Sequence, residues 1–266
     1  MSEMESFPYD KFTYRKMSIN SGLLETPRNT YQREFRPKRA ERIAAAFDER
    51  IANEPKVSLR DGHYYVFDGQ HTIAARKHMN NDEDLPILCK VFTGMTAAEE
   101  ALLFAQQTGA SVPLTPGEKI RALVYAGDQE AVNFQNATED VGLLLDYSQA
   151  KGECRIGCIG TAFREFRRVG PEIYKEALSH IVDAWDGDPH SLRSEVIQGM
   201  IRFVELYHGE YRTERLVSQL RHTDPLTIYR EGQAMGNTLG VEKKYLYQVF
   251  RIYNGTSKKN ALPMKF

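Results

Sequence analysis

Cysteine is scarce in this chain. Cys89, Cys154 and Cys158 are the three in 266 residues, and they form no Cys-x-x-Cys pair. So small and odd a number excludes a disulfide framework and leaves reduced thiols as the expectation, with metal ligation by Cys154 and Cys158 the minor alternative. Net charge is nearly absent as well: 35 basic against 36 acidic side chains leave −1, which argues against broad, charge-driven coating of nucleic acid. No apolar run approaches the roughly 18 residues of a membrane span. The opening Met1-Ser-Glu-Met-Glu-Ser-Phe-Pro8 has neither a basic nor an apolar leader segment, so a cytoplasmic protein without a membrane partner is expected. What is present is ordinary globular composition, 41% hydrophobic and 27% charged, enough to bury a core in one large domain or two smaller ones.

The near-neutral total conceals an uneven distribution. From Arg28 to Arg50 there are seven basic and four acidic residues, and from Val241 to the C-terminus six basic residues stand against Glu242 alone. Residues 126–146 compensate with five carboxylates and no Lys or Arg. Solvated faces explain such runs; two basic segments in a neutral chain also fit a protein that meets phosphate on chosen faces.

Hydrophobic spacing places the elements. Residues 1–30 read as an extended lead-in. Ile43, Ala46, Phe47 and Ile51 recur at helical spacing, so 37–53 is expected as an amphipathic helix with Pro37 in its first turn. Two β-prone runs, 57–60 and 63–67, flank Asp61-Gly62, a type I′ hairpin signal. After Phe67 a Gly turn leads into an alanine-containing helix, and 86–92 is a further strand. Thr96-Ala-Ala-Glu99 and Thr115-Pro-Gly-Glu118 are capping boxes that open two helices. Beyond them 142–147 and 154–159 suggest a lone hairpin, and helices follow at 171–185 and 192–207. The fold class is α+β: a small mixed domain over 1–118 and a mainly helical domain over 119–266.

The segment Phe67-Asp68-Gly69-Gln70-His71-Thr72 carries the most chemistry. A Gly turn between strand and helix admits a ligand close to the backbone, and the helix start offers unpaired N–H groups and a positive dipole end. Gln70, His71 and Thr72 add an amide, an imidazole and a hydroxyl. The plain alternative is a capped helix with a half-buried histidine. Both readings stand on the residues alone.

The order of elements with these motifs resembles the ParB/sulfiredoxin-like superfamily over roughly residues 25–125. The matching stretches are Tyr31-Gln-Arg33, the 57–67 hairpin, Asp68-Gly-Gln-His-Thr72, Leu85-Pro86-Ile87, and Ala105-Gln-Gln-Thr108 leading to Leu114-Thr-Pro-Gly-Glu118. Tyr-Gln-Arg together with Asp-Gly-Gln-His is similar to the variant of phage, mobile-element and DNA-defence relatives. The resemblance implies a small mixed domain whose turn and a downstream segment hold the triphosphate of a nucleotide, CTP in ParB proteins, with Mg²⁺. It nominates Gln32, Arg33, Asp68, Gly69, Gln70, His71, Thr72, Arg76, Gln106 and Gln107 for the phosphate. Thr72 stands where the family's turn has arginine, and the second segment lacks its arginine too. Bidentate donors are thus missing unless Arg33 or Arg76 replaces them. Gln70 occupies the place of the sulfiredoxin cysteine, which excludes that chemistry.

Near the C-terminus, residues 233–250 have the spacing of a helix-turn-helix. Gly236 is expected where two helices touch and Gly240 at the turn, with Val241, Leu246 and Val249 inward. Lys243, Lys244, Tyr247, Gln248 and Arg251 would face DNA, with Lys258, Lys259 and Lys265 beyond. Two amphipathic helices around any Gly give the same pattern. Three functions follow. The first is a ParB-like protein of a phage or mobile element that binds nucleotide, DNA or both in DNA maintenance or regulation, with an oligomer allowed. The second is a phosphoryl or phosphodiester hydrolase using His71, Gln70 and Arg33. The third is a pocket that has lost its ligand and serves protein interaction.

Overall fold

The computed structural model describes residues 14–28, 30–106, 114–147, 152–236, 239–256 and 259–266. It divides into two compact units, one closing at Asp128 and one spanning Gln129–Phe266. The architecture is α+β. Among the described residues no helix is long and apolar enough to cross a membrane.

The first unit is built on a five-stranded mixed sheet of order β1-β5-β3-β4-β2. These strands are β1 Tyr14–Asn20, β2 Leu24–Glu25, β3 Lys56–Arg60, β4 His63–Asp68 and β5 Pro86–Thr93. The β3–β4 hairpin turns on Asp61 (φ 51°) and Gly62 (φ 82°), the paired positive φ of a type I′ turn. Val57, Val66, Ile87, Cys89 and Val91 form one core with Ile73 of helix α2 (Gln70–Met79). A second core joins Tyr31 and Phe67 to Phe104 and Ala122, from helices α3 (Ala97–Gln106) and α4 (Pro116–Tyr125). Both capping boxes form. Thr96 exchanges bonds with Glu99 at 2.7 and 3.2 Å, and Thr115 with Glu118 at 2.8 and 3.2 Å.

The lead-in is more ordered than its sequence suggests, since β1 pairs antiparallel with β5 along its whole length. Helix α1 (Pro37–Ala45) is shorter than expected. At its end the Ala46 and Phe47 amides take tighter bonds to Ile43 and Ala44, and Asp48 Oδ1 then accepts the Arg50 N–H at 2.9 Å. That side chain offers the backbone a turn in place of another helical one.

The second unit is helical: α5 Gln129–Glu139, α6 Ile159–Trp185, α7 Ser194–Tyr207, α8 Thr213–Arg221, α9 Pro225–Ala234 and α10 Val241–Asn254. Leu144–Leu145 (β6) and Arg155–Ile156 (β7) pair in parallel, so they are not the expected hairpin. Helix α6 starts well before Pro171. Gly170 (φ 79°, ψ 172°) and Pro171 break it in its middle rather than opening it.

Candidate anion-binding cleft at the Gly69 turn

Strand β4 delivers the chain into α2 through Gly69, and that position admits no side chain. Its φ is 99°, and a Cβ there would lie 3.0 Å from Pro55 Cα. No side chain caps the helix at this end. The amides of its first turn therefore keep their donor capacity, and the dipole adds positive potential.

The 31–36 segment is clasped to this turn by side chains. Gln32 Nε2 donates to the Val66 carbonyl at 2.8 Å, and Gln70 Nε2 donates to the Arg33 carbonyl at 2.9 Å. The Arg36 amide donates to His71 Nε2 at 3.2 Å, and Phe35 stacks on the same ring at 5.4 Å. Deeper in, the Tyr31 hydroxyl donates to Glu100 Oε2 at 2.8 Å while Arg60 Nε donates to Oε1 at 2.7 Å. The Tyr-Gln-Arg motif is thus an anchor whose first two side chains hold the third beside the turn.

Electrostatics follow from this packing. His71 is 6% exposed, and burial first, then the charges of Arg39, Arg33 and Arg36, lowers its pKa to about 4. It is neutral at pH 7, and with Nε2 accepting from Arg36 its proton sits on Nδ1. Such a ring can donate to an anion; general-base work at Nε2 would require it to give up the Arg36 amide. Arg39 is also pushed down, by burial and then by Arg33, with Glu118 too weak a counter-charge to reverse the effect. A cluster in which guanidiniums crowd one another is stabilised by an added anion.

These groups line one cleft of about 490 Å³. Gln32, Arg33, Asp68, Gly69, Gln70, His71 and Thr72, all nominated by sequence, border it. Arg39 and Arg42 border it too and were not nominated; their position on the α1 face toward the turn was the missing information. So does an apolar wall of Ile43, Ala46, Phe47, Ile51 and Ala52, with Phe104. Their helical spacing suggests a core stripe, yet Ile51 is 76% exposed and the stripe lines the cleft instead. Arg76 lies outside the lining and pairs with Glu49 at 2.7 Å. Gln106 ends α3 exposed and away from the cleft, and Gln107 lies outside the described residues. Asp68 and Asp48 are paired with Lys56 and Arg50 at 3.0 and 2.6 Å. Among the described residues no group of three His, Cys, Asp or Glu side chains is arranged to hold a metal ion. A Mg²⁺ accompanying a nucleotide would be held chiefly by phosphate oxygens, with Asp48 and Asp68 the carboxylates at hand.

The C-terminal pattern is corrected in part. Leu246 and Val249 are buried as expected, but so is Gln248, at 3% exposure, with its amide directed to Met235 Sδ at 3.1 Å. It is not on an outer face. Lys243 and Arg251 are exposed and Lys244 and Tyr247 half-buried, with Arg251 paired to Glu231 at 2.7 Å. Gly236 meets no neighbour; the close approach is at Gly232 and Gly199, both against Tyr245. Lys265 pairs with Glu210 and its amide donates to the Tyr207 hydroxyl, so this part of the tail is strapped to the unit. Lys259 is exposed, and Lys258 lies outside the described residues. His180 is buried and bonded to the Tyr211 hydroxyl at 2.8 Å.

Fold and cleft together define an α+β protein with a basic, half-apolar pocket at a strand-to-helix turn. A family model described as "Family of unknown function (DUF6551)" matches residues 26–266, and the chain belongs to that family. The crystal structure of the C-terminally truncated chromosome-partitioning protein ParB from Caulobacter crescentus, complexed to the centromeric parS site, is similar at 12% identity. The match covers 87% of this chain and 97% of that one, with a TM-score of 0.25. No curated protein matches.

Proposed function

We propose that the cleft binds a nucleotide through its phosphates, and that the protein is a ParB-like nucleotide- and DNA-binding protein acting in DNA maintenance or regulation, of the kind found in phages and mobile elements. The observation that carries the reading is the uncapped start of α2 at Gly69 opening on a cleft lined by Arg33, Arg39 and Arg42. Dipole, amides and guanidiniums on one cleft support an anion as its ligand. The Tyr31-Gln-Arg33 and Asp68-Gly-Gln-His motifs support a nucleotide as that anion. Arg39 and Arg42 stand in for the arginines that the motifs lack. For DNA, the support is the basic edge of α10, with Lys243 and Arg251 exposed and Lys244 and Tyr247 half-buried.

The test is thermal unfolding of the whole protein with CTP, ATP and GTP, each with and without Mg²⁺ and duplex DNA. A nucleotide at a hundred times its Kd stabilises by about 2.7 kcal/mol, a shift of several degrees. DNA retention should fall steeply with salt. No shift with any nucleotide defeats the cleft assignment, and no DNA retention at low salt defeats the DNA assignment.

A further inference from the structure

The cleft has two chemically distinct halves. One is cationic and polar: the first turn of α2 with Arg33, Arg39 and Arg42. The other is the apolar wall of Ile43, Ala46, Phe47, Ile51 and Ala52. Most of that wall lies beyond the end of α1 at Ala45, where no regular helix holds it. Backbone bonds to Ile43, Ala44 and Asp48 shape this stretch, and Arg76 adds side-chain contacts at Phe47 and Glu49. Its Nη2 reaches Glu49 Oε1 at 2.7 Å, and its guanidinium carbon lies 5.4 Å from the Phe47 ring centroid. The side chain is only 13% exposed, and among the described residues its buried Nε has no hydrogen-bond partner, so the Glu49 bond and the Phe47 ring are the contacts that hold the guanidinium. Glu49 is 72% exposed and would be fully solvated without it.

Arg76 stands on α2, the same helix whose start borders the cationic half. One rigid element therefore sets the distance between the two halves. We infer that the apolar half receives the planar heterocycle of the ligand and that Arg76, from outside the cleft, is the positioning residue for that half, holding the wall through Glu49 and Phe47. The inference rests on the reading of the ligand as a nucleotide. It reassigns Arg76 from a phosphate donor to a determinant of preference for nucleosides.

The experiment is calorimetric titration of the full chain with CTP, ATP, GTP and inorganic tripolyphosphate. Covering one face of a heterocycle makes the preferred nucleotide bind about tenfold tighter than tripolyphosphate. In Arg76→Gln that preference should collapse to about twofold while tripolyphosphate affinity stays within about twofold. Glu49→Gln cuts the same ion pair at an exposed residue and should move the ratio the same way, which keeps the test open if Arg76→Gln fails to fold. Arg39→Gln should weaken both ligand types by a similar factor. An unchanged ratio in the folded variants, or equal losses for both ligands, overturns the role of Arg76. Equal affinity of wild type for nucleotide and tripolyphosphate overturns the two-part cleft and leaves the anion site standing; wild type binding neither ends both.

Discussion

Replacing Gly69 by alanine tests whether the turn is held by conformation alone or also by its neighbour. At φ 99° an L-residue costs roughly 1–2 kcal/mol. The added methyl would also lie 3.0 Å from Pro55 Cα and 3.1 Å from Pro55 Cβ. Pro55 cannot easily retreat, because it is buried and its carbonyl accepts the Lys90 amide at 2.9 Å. Overpacking against such a site adds about 1–3 kcal/mol, so Gly69→Ala should destabilise the first unit by about 2–5 kcal/mol. Gly62→Ala is the control: it shares the positive φ, at 82°, but its methyl meets nothing within 4 Å. The assay is native-state amide exchange of the β3, β4 and β5 amides in both variants. Trp185, the single tryptophan, stands in the second unit, so its fluorescence in urea serves as the internal reference that neither substitution should move. Equal loss of protection in the two variants would refute the contact with Pro55 as a source of the constraint.

Two further outcomes follow from buried groups. The pKa of His71 is lowered from 6.5 to about 4, so the unfolded chain binds the proton more readily. Stability from this group is then complete above about pH 6.5 and is lost progressively as pH falls to about 4, at most about 3 kcal/mol in total. An NMR titration of the His71 ring that finds its midpoint near 6.5 contradicts both the burial and the arginine field. In the second unit, an alanine Cβ at Gly199 would lie 2.8 Å from the Tyr245 carbonyl oxygen, a backbone atom of α10. Gly199→Ala should cost about 1–3 kcal/mol and lower the urea midpoint of Trp185 fluorescence; an unchanged midpoint would mean that the α7–α10 seam has slack.

The elements that could be read from the chain are those whose causes lie within a few residues. Thr96 with Glu99 and Thr115 with Glu118 satisfy helix starts across three positions, and Asp61-Gly62 sets a hairpin by its own φ values. Elements decided at long range were missed. Strand β1 buries one residue fully, Ile19, and Met17 in part, so its seven residues carry little alternation, and its order comes from pairing with β5. The β6–β7 pair resembles a hairpin because its strands are near in sequence, but a parallel register needs the connection to cross over. Helix α9 had a local signal that went unread: Asp224 accepts the Leu226 amide, and Pro225 takes the first helical position.

The cleft divides along the same line, and the division bears on what its motifs do. Gly69 was legible because a strand, a glycine and a helix are consecutive. The roles of Gln32 and Gln70 were not, since each amide donates to a carbonyl more than thirty positions away and is engaged in the clasp. Arg39 and Arg42 were obscured because on a helix of mixed charge they look like any solvated basic pair. Only the fold turns that face toward the α2 start. Ile43, Ala46, Phe47 and Ile51 show the converse: their period is that of a buried stripe, yet the helix ends at Ala45 and the apolar surface goes to the cleft. A stripe that is hydrophobic and regular yet leaves Ile43 and Phe47 half-buried and Ile51 exposed is not fully explained by a core, and a ligand with an apolar face is the partner that would bury the rest.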